Sequence, residues 1–136
     1  GMASYVAKQV TIKLSNLFTN LKECRVLVMG ATFKENVSDI RNSKVADVIY
    51  ELKEFGIDVD VVDTHASSEE IMEEYGFELC PEIKGPYHAV IVAVNHDEYA
   101  RMTEDDFKAI SVENAVLADL KGIFRDQIRD LNYWSL

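Results

Sequence analysis

Apolar residues recur along the chain with two periods, one typical of amphipathic helices and one typical of buried strands. Residues 3–20 carry apolar side chains at helical spacing, which predicts a helix. The positions that form this stripe are Val6, Val10, Leu14 and Leu17. Because an apolar stripe must be covered, we expect the helix to pack against the rest of the chain.

Short apolar runs bounded by glycine or polar residues predict buried strands. These runs are 25–30, 57–63, 77–80, 89–94 and 115–118. Amphipathic segments between the runs predict helices over 43–56, 67–76 and 103–110, and the tail 123–136 is expected to form a helical turn or two. Strands that alternate with helices are typical of right-handed βαβ units. The chain is therefore predicted to be α/β, a three-layer, doubly wound, Rossmann-like parallel sheet with strand order 3-2-1-4-5.

Ligands of such sheets bind at the carboxyl ends of the strands, where the winding reverses. This rule predicts a site built from the loops that follow Met29, Asp63, Val94 and Asp119. The first of these loops, Gly30–Ser43, opens a helix whose amino terminus can hold an anion.

That loop and the residue after it carry three cations. They are Lys34, Arg41 and Lys44. Asn42 or Ser43 is expected to cap the helix, and Asp39 to fix the loop or to orient Arg41. Spacing alone leaves two interpretations open, an anion site or a solvated loop with balanced charges.

Length and charge narrow the possible partners. The chain has 136 residues, which suits one domain, and its 48% of hydrophobic residues suffices for a packed core. Its net charge of −10 argues against nucleic acid and anionic membranes as partners. No apolar run approaches the roughly 20 residues of a membrane span, so a cytoplasmic protein is expected. Gly1 before Met2 resembles a tag remnant.

The cysteines and histidines do not have the spacing of metal ligands. Cys24 and Cys80 are far apart and form no CxxC motif, and both are expected to be packing residues. His65 and His88 are interpreted as structural. No metal is predicted.

The loop after the first strand contains only Gly30 of the GxGxxG pattern, so a complete NAD site is not expected. Asp63 ends a strand, where an acidic residue can bind a ribose hydroxyl or serve as a turn residue. His96 could act as a general base, although a polar loop residue or a hydrogen bond to a ligand is the preferred interpretation. Arg125 is expected to add positive charge at the same edge of the sheet.

Three stretches together resemble the nucleotide-sugar dehydrogenase family, which includes UDP-glucose and GDP-mannose dehydrogenases. They are Gly30–Lys44, with its Phe33-Lys34 and Asp39-Ile-Arg41-Asn-Ser43 motifs, Tyr50–Asp63 and Val116–Arg125. The first stretch is most similar to the branch that oxidises UDP-N-acetylhexosamines. The resemblance covers residues 3–125.

The resemblance implies that this chain is one part of an NAD-dependent enzyme. Residues 1–22 would be the end of a connecting helix, and 23–136 the C-terminal UDP-sugar-binding domain. The family oxidises the C6 alcohol of the sugar to a carboxylate, for polysaccharide biosynthesis. The implied partners are the UDP-sugar, the N-terminal and central domains of the same enzyme, and further copies in a homo-oligomer. NAD is held mainly by the N-terminal domain.

The resemblance also assigns roles to single residues. Phe33 would lie against the nucleotide, and Lys34 would reach into the nucleotide-sugar site. Lys121 stands where relatives often have arginine and would contact the sugar or its phosphates. Arg41 would extend toward the NAD. The family's catalytic cysteine is matched by neither cysteine here, so the chain alone is expected to be inactive.

Two other functions remain compatible with these residues. A free-standing nucleotide-binding regulatory module would hold nucleotide well by itself, whereas a domain that supplies half of a pocket would hold it weakly. A structural oligomerisation domain, which the apolar stripe from Val6 to Leu17 would suit, would not respond to nucleotide at all.

Overall fold

The computed structural model describes residues 1–136, and a five-stranded parallel sheet forms its centre. The strands are β1 (Arg25–Met29), β2 (Asp58–Val62), β3 (Tyr87–Val92), β4 (Ser111–Asp119) and β5 (Asn132–Ser135). They lie side by side in the order β2-β1-β3-β4-β5, and every neighbouring pair is parallel. The predicted α/β class with a doubly wound parallel sheet is therefore confirmed.

Five helices flank these strands, four of them at the predicted places. They are α1 (Met2–Leu17), α2 (Val45–Glu54), α3 (Ser68–Tyr75), α4 (Asp97–Ala100) and α5 (Glu104–Ala109), with a 3₁₀ turn at Leu21–Glu23. The Ser67 hydroxyl caps α3 by accepting from the N–H of Glu70, and Thr103 and Asp106 form a reciprocal capping box on α5. The short helix α4 lies where only a loop was expected.

The predicted cap of α2 is wrong. The helix begins after Lys44, which makes no side-chain cap. Asn42 has a positive φ of 57°, and the backbone N–H of Ser43 donates to the Tyr75 hydroxyl. The loop is thus tied to α3 at the residues that were expected to cap α2.

The predicted strand 77–80 is also wrong, and the sheet ends at β2. A strand needs a ladder of hydrogen bonds, and this segment makes one such contact, from the Cys80 N–H to the Val61 carbonyl at 2.7 Å. The Leu79 N–H donates to the Ser68 hydroxyl instead of to a neighbouring strand. Pro81 follows and has no N–H to offer.

The tail forms a strand rather than the expected helical turns. β5 pairs with β4 in parallel, with Tyr133 beside Leu117 and Trp134 beside Ala118. Its two aromatic rings pack on opposite faces of the sheet, which is the two-residue period of a strand.

Two apolar cores lie on opposite faces of the sheet. Alternating residues of β1 divide between them, Val26 and Val28 facing one core and Leu27 and Met29 the other. The stripe of α1 enters the first core through Val6, Val10 and Leu14, while Leu17 is 41% exposed. None of the helices is long and apolar enough to cross a bilayer.

Candidate functional site

A cavity of about 190 Å³ lies at the carboxyl ends of β1, β3 and β4. The winding of the sheet reverses between β1 and β3, so the cavity occupies the position that the fold predicts. The loops after these strands line it through Thr32, Phe33, Asn42, Ala93, Val94, Leu120 and Lys121. The loop after Asp63 does not line it, so three of the four predicted loops come together there.

The cavity combines apolar walls with positive charge. Ten of its 14 lining residues are hydrophobic. Lys44 and Lys121 approach it from two different loops, and Val45 brings the amino-terminal end of α2 to the wall. Backbone N–H groups at a helix start attract anions, and the two ammonium groups add to that field. The arrangement can therefore hold a molecule with an apolar ring and an anionic group.

Phe33 and Lys34 lie on the exposed side of the loop that follows β1, which is the first of the loops that line the cavity. Phe33 is a lining residue whose surface is 56% exposed. Lys34 is exposed and does not line the cavity, and its ammonium makes no ion pair or hydrogen bond within the chain. Its carbonyl accepts a hydrogen bond from the Thr32 hydroxyl at 2.8 Å, which folds the loop on itself.

Arg41 does not line the cavity. Its guanidinium donates two hydrogen bonds of 3.0 Å to the Asp39 carboxylate. The expectation that Asp39 orients Arg41 is therefore confirmed. This hydrogen bonding lowers the pKa of Asp39 to about 2. Arg41 borders a shallow groove with Glu70, Glu73 and Glu74 of α3, so the three cations from Lys34 to Lys44 do not converge.

Asp63 is a buried anchor for two loops. One carboxylate oxygen accepts from the Ala31 N–H at 2.6 Å, and the other accepts from the N–H groups of His65 and Ala66. Burial alone would raise its pKa, but these bonds and that from His96 outweigh it and hold the pKa below its usual range. Since both oxygens are occupied, the turn interpretation of Asp63 fits and ribose binding does not.

His96 completes this anchor. Its ring is fully buried, with Nδ1 2.9 Å from the Asn36 backbone nitrogen and Nε2 3.1 Å from Asp63. Both ring nitrogens are therefore engaged inside the chain, and neither is free to act as a general base. An aspartate that ends one strand and a histidine that follows another were the sequence signals for this contact.

A second buried carboxylate, Asp119, ends β4. One of its oxygens accepts from the Phe124 N–H at 2.8 Å and from the Tyr133 hydroxyl at 2.5 Å. Its other oxygen has no partner. Arg125, which was expected at the cation-rich edge, instead bonds to the Ser135 hydroxyl. Asp119 thus ties the turn after β4 to β5.

Neither cysteine is placed for chemistry. Cys24 is buried in the first core, and Cys80 is half-buried beside β2. Burial raises the pKa of both thiols, which disfavours the reactive thiolate. No cluster of three or more His, Cys, Asp or Glu side chains could hold a metal ion.

Solved structures share this fold. The native structure of the UDP-N-acetyl-mannosamine dehydrogenase Cap5O from Staphylococcus aureus superposes with a TM-score of 0.77 at 22% identity, over 98% of this chain and 30% of that one. The NDP-N-acetyl-D-galactosaminuronic acid dehydrogenase from Methanosarcina mazei Go1 gives 0.78 at 19% identity, over 97% and 28%. At these identities the likeness establishes the fold.

Sequence comparison extends this likeness from the fold to a protein family. The chain is 38% identical over 132 residues to the UDP-N-acetyl-D-glucosamine 6-dehydrogenase of Pseudomonas aeruginosa, and spans 96% of its own length and 31% of that relative. It is 36% identical over 125 residues to Protein CapL of Staphylococcus aureus, and spans 90% of its own length and 29% of that relative. Residues 27–126 match the profile described as UDP-glucose/GDP-mannose dehydrogenase family, UDP binding domain. The chain therefore belongs to the UDP-glucose/GDP-mannose dehydrogenase family and carries its UDP binding domain.

Proposed function

We propose that the chain is the nucleotide-sugar-binding part of an NAD-dependent UDP-N-acetylhexosamine 6-dehydrogenase. That enzyme oxidises the C6 alcohol of its sugar to a carboxylate for polysaccharide biosynthesis. One observation carries the proposal, the apolar cavity that Lys44, Lys121 and the start of α2 make at the switch point of a UDP binding domain. The sugar class rests on the names of relatives that include UDP-N-acetyl-D-glucosamine 6-dehydrogenases.

Residues 23–136 form the binding domain in this proposal, and residues 1–22 are the end of a helix that connects it to the rest of the enzyme. The position of α1 supports a close coupling between the two. Met2, Ala3 and Val6 of α1 contribute to the cavity wall. A movement of the connecting helix would therefore change the shape of the cavity.

Four side chains would meet the ligands. Phe33, at the mouth of the cavity, lies against the nucleotide. Lys34 reaches into the nucleotide-sugar site, and Lys121 contacts the sugar or its phosphates, because ammonium groups form charge-assisted hydrogen bonds to phosphate oxygens. Arg41, which is 81% exposed at its side chain, approaches NAD held by another domain.

The residues of this chain do not fit a complete NAD site. The loop after β1 has only Gly30 of the glycine pattern, and both oxygens of Asp63 are occupied. NAD would therefore be held mainly by the N-terminal domain. We further propose that the intact enzyme is a cytoplasmic homo-oligomer.

A calorimetric titration with UDP tests the proposal. We expect the wild-type chain to bind weakly, as a domain that supplies half of a pocket should, and Lys34→Ala and Lys121→Ala to weaken binding by about tenfold each, because each loses one charge-assisted contact. Lys8→Ala is the control, since Lys8 is exposed on α1 and makes no ion pair. No binding by the wild type, or equal affinities for all variants, would overturn the proposal, and tight binding by the chain alone would favour a free-standing nucleotide-binding module instead.

A further inference from the structure

We propose that His96 is a positioning residue that holds the Phe33-Lys34 segment in its ligand-binding shape. The inference rests on the proposed function, because it assumes that nucleotide binds against this segment. The His96 ring is buried and does not line the cavity, so its effect on a ligand would pass through the residues that it contacts.

The hydrogen bonds of His96 determine its tautomer. Nδ1 lies 2.9 Å from the backbone nitrogen of Asn36, which can only donate, so Nδ1 must carry the lone pair. The ring proton therefore sits on Nε2, which lies 3.1 Å from the Asp63 carboxylate. A carboxylate that accepts from the far nitrogen fixes both the tautomer and the ring orientation.

His96 and its neighbour hold one end of the segment. Asn36 has a positive φ of 61°, and its side chain exchanges two hydrogen bonds of 3.0 Å with Asp97. The other end is held at Ala31, whose N–H donates to Asp63 at 2.6 Å. Phe33 and Lys34 lie between these two anchors. Asp63 links the anchors, because its carboxylate contacts Ala31 at one end and His96 at the other.

The segment has little else to hold it. Within the loop, residues 32–34 are held by hydrogen bonds from the Thr32 hydroxyl to the Lys34 carbonyl and from the Phe33 N–H to the Asp39 carbonyl. The one polar side-chain contact that leaves the loop is again to His96, whose Nε2 lies 3.4 Å from the Thr32 hydroxyl. Phe33 is 56% exposed, so core packing does not fix it. A ligand that meets a preorganised loop does not have to order it, which improves affinity. Loss of the Nδ1 acceptor should therefore reduce affinity more than stability.

Two substitutions of His96 separate the two ring nitrogens. His96→Asn keeps an oxygen near the position of Nδ1 and so retains an acceptor for the Asn36 N–H. His96→Gln can place a donor near the position of Nε2 and bond to Asp63, but it has no acceptor for Asn36. Each variant thus loses one hydrogen bond of the ring and keeps the other.

Three measurements on the full chain test the role. These are UDP affinity by calorimetry, amide hydrogen exchange at Asn36 and Phe33, whose N–H groups donate to His96 and to the Asp39 carbonyl, and unfolding in urea. We expect His96→Gln to weaken UDP binding about tenfold and to accelerate exchange at both amides. His96→Asn should stay within about threefold of the wild type in affinity, although both variants lose stability.

His88→Gln is the matched control. Nδ1 of His88 also accepts a backbone N–H, that of Arg25 at 3.0 Å, but at the amino end of the same sheet. This variant should lose stability without a change in UDP affinity. A loss of affinity equal to that of His96→Gln would mean that the effect is merely structural and would overturn the proposal.

Other results separate this inference from the proposed function. If the wild type does not bind UDP, the proposed function fails, and amide exchange at Asn36 and Phe33 alone decides the role of His96. Equal exchange in the two His96 variants would overturn it. A measurement without substitution guards against variants that fail to fold, because ¹⁵N spectra of the wild type should show His96 with a bare Nδ1 and a protonated Nε2. The opposite tautomer would contradict the inference.

Discussion

At the scale of single residues, Gly30 makes a close approach that no other residue type could make. It follows β1 with a φ of +99°, and a Cβ at this position would lie 2.6 Å from the Cβ of Val94. Gly30→Ala should therefore lower the free energy of unfolding by about 3 kcal/mol, through backbone strain and overpacking. Urea unfolding would measure the loss.

Gly76→Ala is the control for this prediction. Gly76 has a φ of +83°, but its added Cβ would meet nothing within 4 Å. Only the left-handed backbone should then cost energy, about 1 kcal/mol. Equal losses in the two variants would show that the contact with Val94 is unimportant.

The Asp63 carboxylate should make stability depend on pH. Because its folded pKa lies below the unfolded value of about 3.9, its contribution is present above that pH and is lost as the pH falls through the folded pKa. Asp63→Asn should cost about 3 kcal/mol at neutral pH, since an amide group would face the N–H donors that the carboxylate now accepts from. This deficit, the loss of unfolding free energy in Asp63→Asn relative to the wild type, should shrink below about pH 4.

Urea unfolding across this pH range measures the deficit. Asp58→Asn serves as the control, because Asp58 is exposed and its ion pair with Arg25 at 3.7 Å is worth less than about 1 kcal/mol. A deficit for Asp63→Asn that stays constant from neutral pH to pH 3 would contradict the assignment.

Residue-level prediction from sequence succeeded where one local pattern decides the outcome. Asp39 and Arg41 are two positions apart, and their ion pair was foreseen. The contact of His96 with Asp63 and Asn36 joins loops from three separate strands, and spacing carries no information about which nitrogen faces which partner. The roles of Phe33, Lys34, Lys121 and Arg41 remain predictions.

At the scale of elements, the two edges of the sheet were predicted least well. The run 77–80 contains Phe77, which is buried, but Pro81 and the Ser68 hydroxyl leave it without a ladder. The tail 132–135 contains Tyr133 and Trp134, which favour strands, yet its wider pattern looked helical. Edge strands have one partner only, so short runs there are decided by tertiary contacts.

β5 is attached through Tyr133, which donates to the buried Asp119 carboxylate. Desolvation and this hydrogen bond raise the pKa of Tyr133 to about 12. Tyr133→Phe would leave Asp119 with the Phe124 N–H alone, so we expect a loss of about 2 kcal/mol and faster amide exchange throughout β5. Tyr5→Phe, at a tyrosine that is 51% exposed, should change neither quantity. Unaltered exchange in Tyr133→Phe would contradict this role.

At the scale of the whole molecule, charge is divided unevenly. The chain carries a net charge of −10, yet Lys44 and Lys121 face one cavity at the start of α2. A local cationic site in an acidic molecule favours a small anion over a polyanion, because nucleic acid would meet the acidic surface as well. The net charge of the chain thus favours small anions as ligands, and the fold places their cationic site at the start of α2.

The last prediction concerns the activity of the chain by itself. The nucleophile of a thiol mechanism must be an accessible thiolate, whereas the pKa of Cys24 and that of Cys80 are both raised and neither residue lines the cavity. The 136-residue chain should therefore bind UDP but form no reduced nicotinamide from UDP-N-acetylglucosamine and NAD. Absorbance of the reduced nicotinamide measures this. Turnover that persisted in the wild type and disappeared in Cys80→Ser would show that the half-buried thiol becomes reactive, and the proposal that another domain supplies the nucleophile would have to be abandoned.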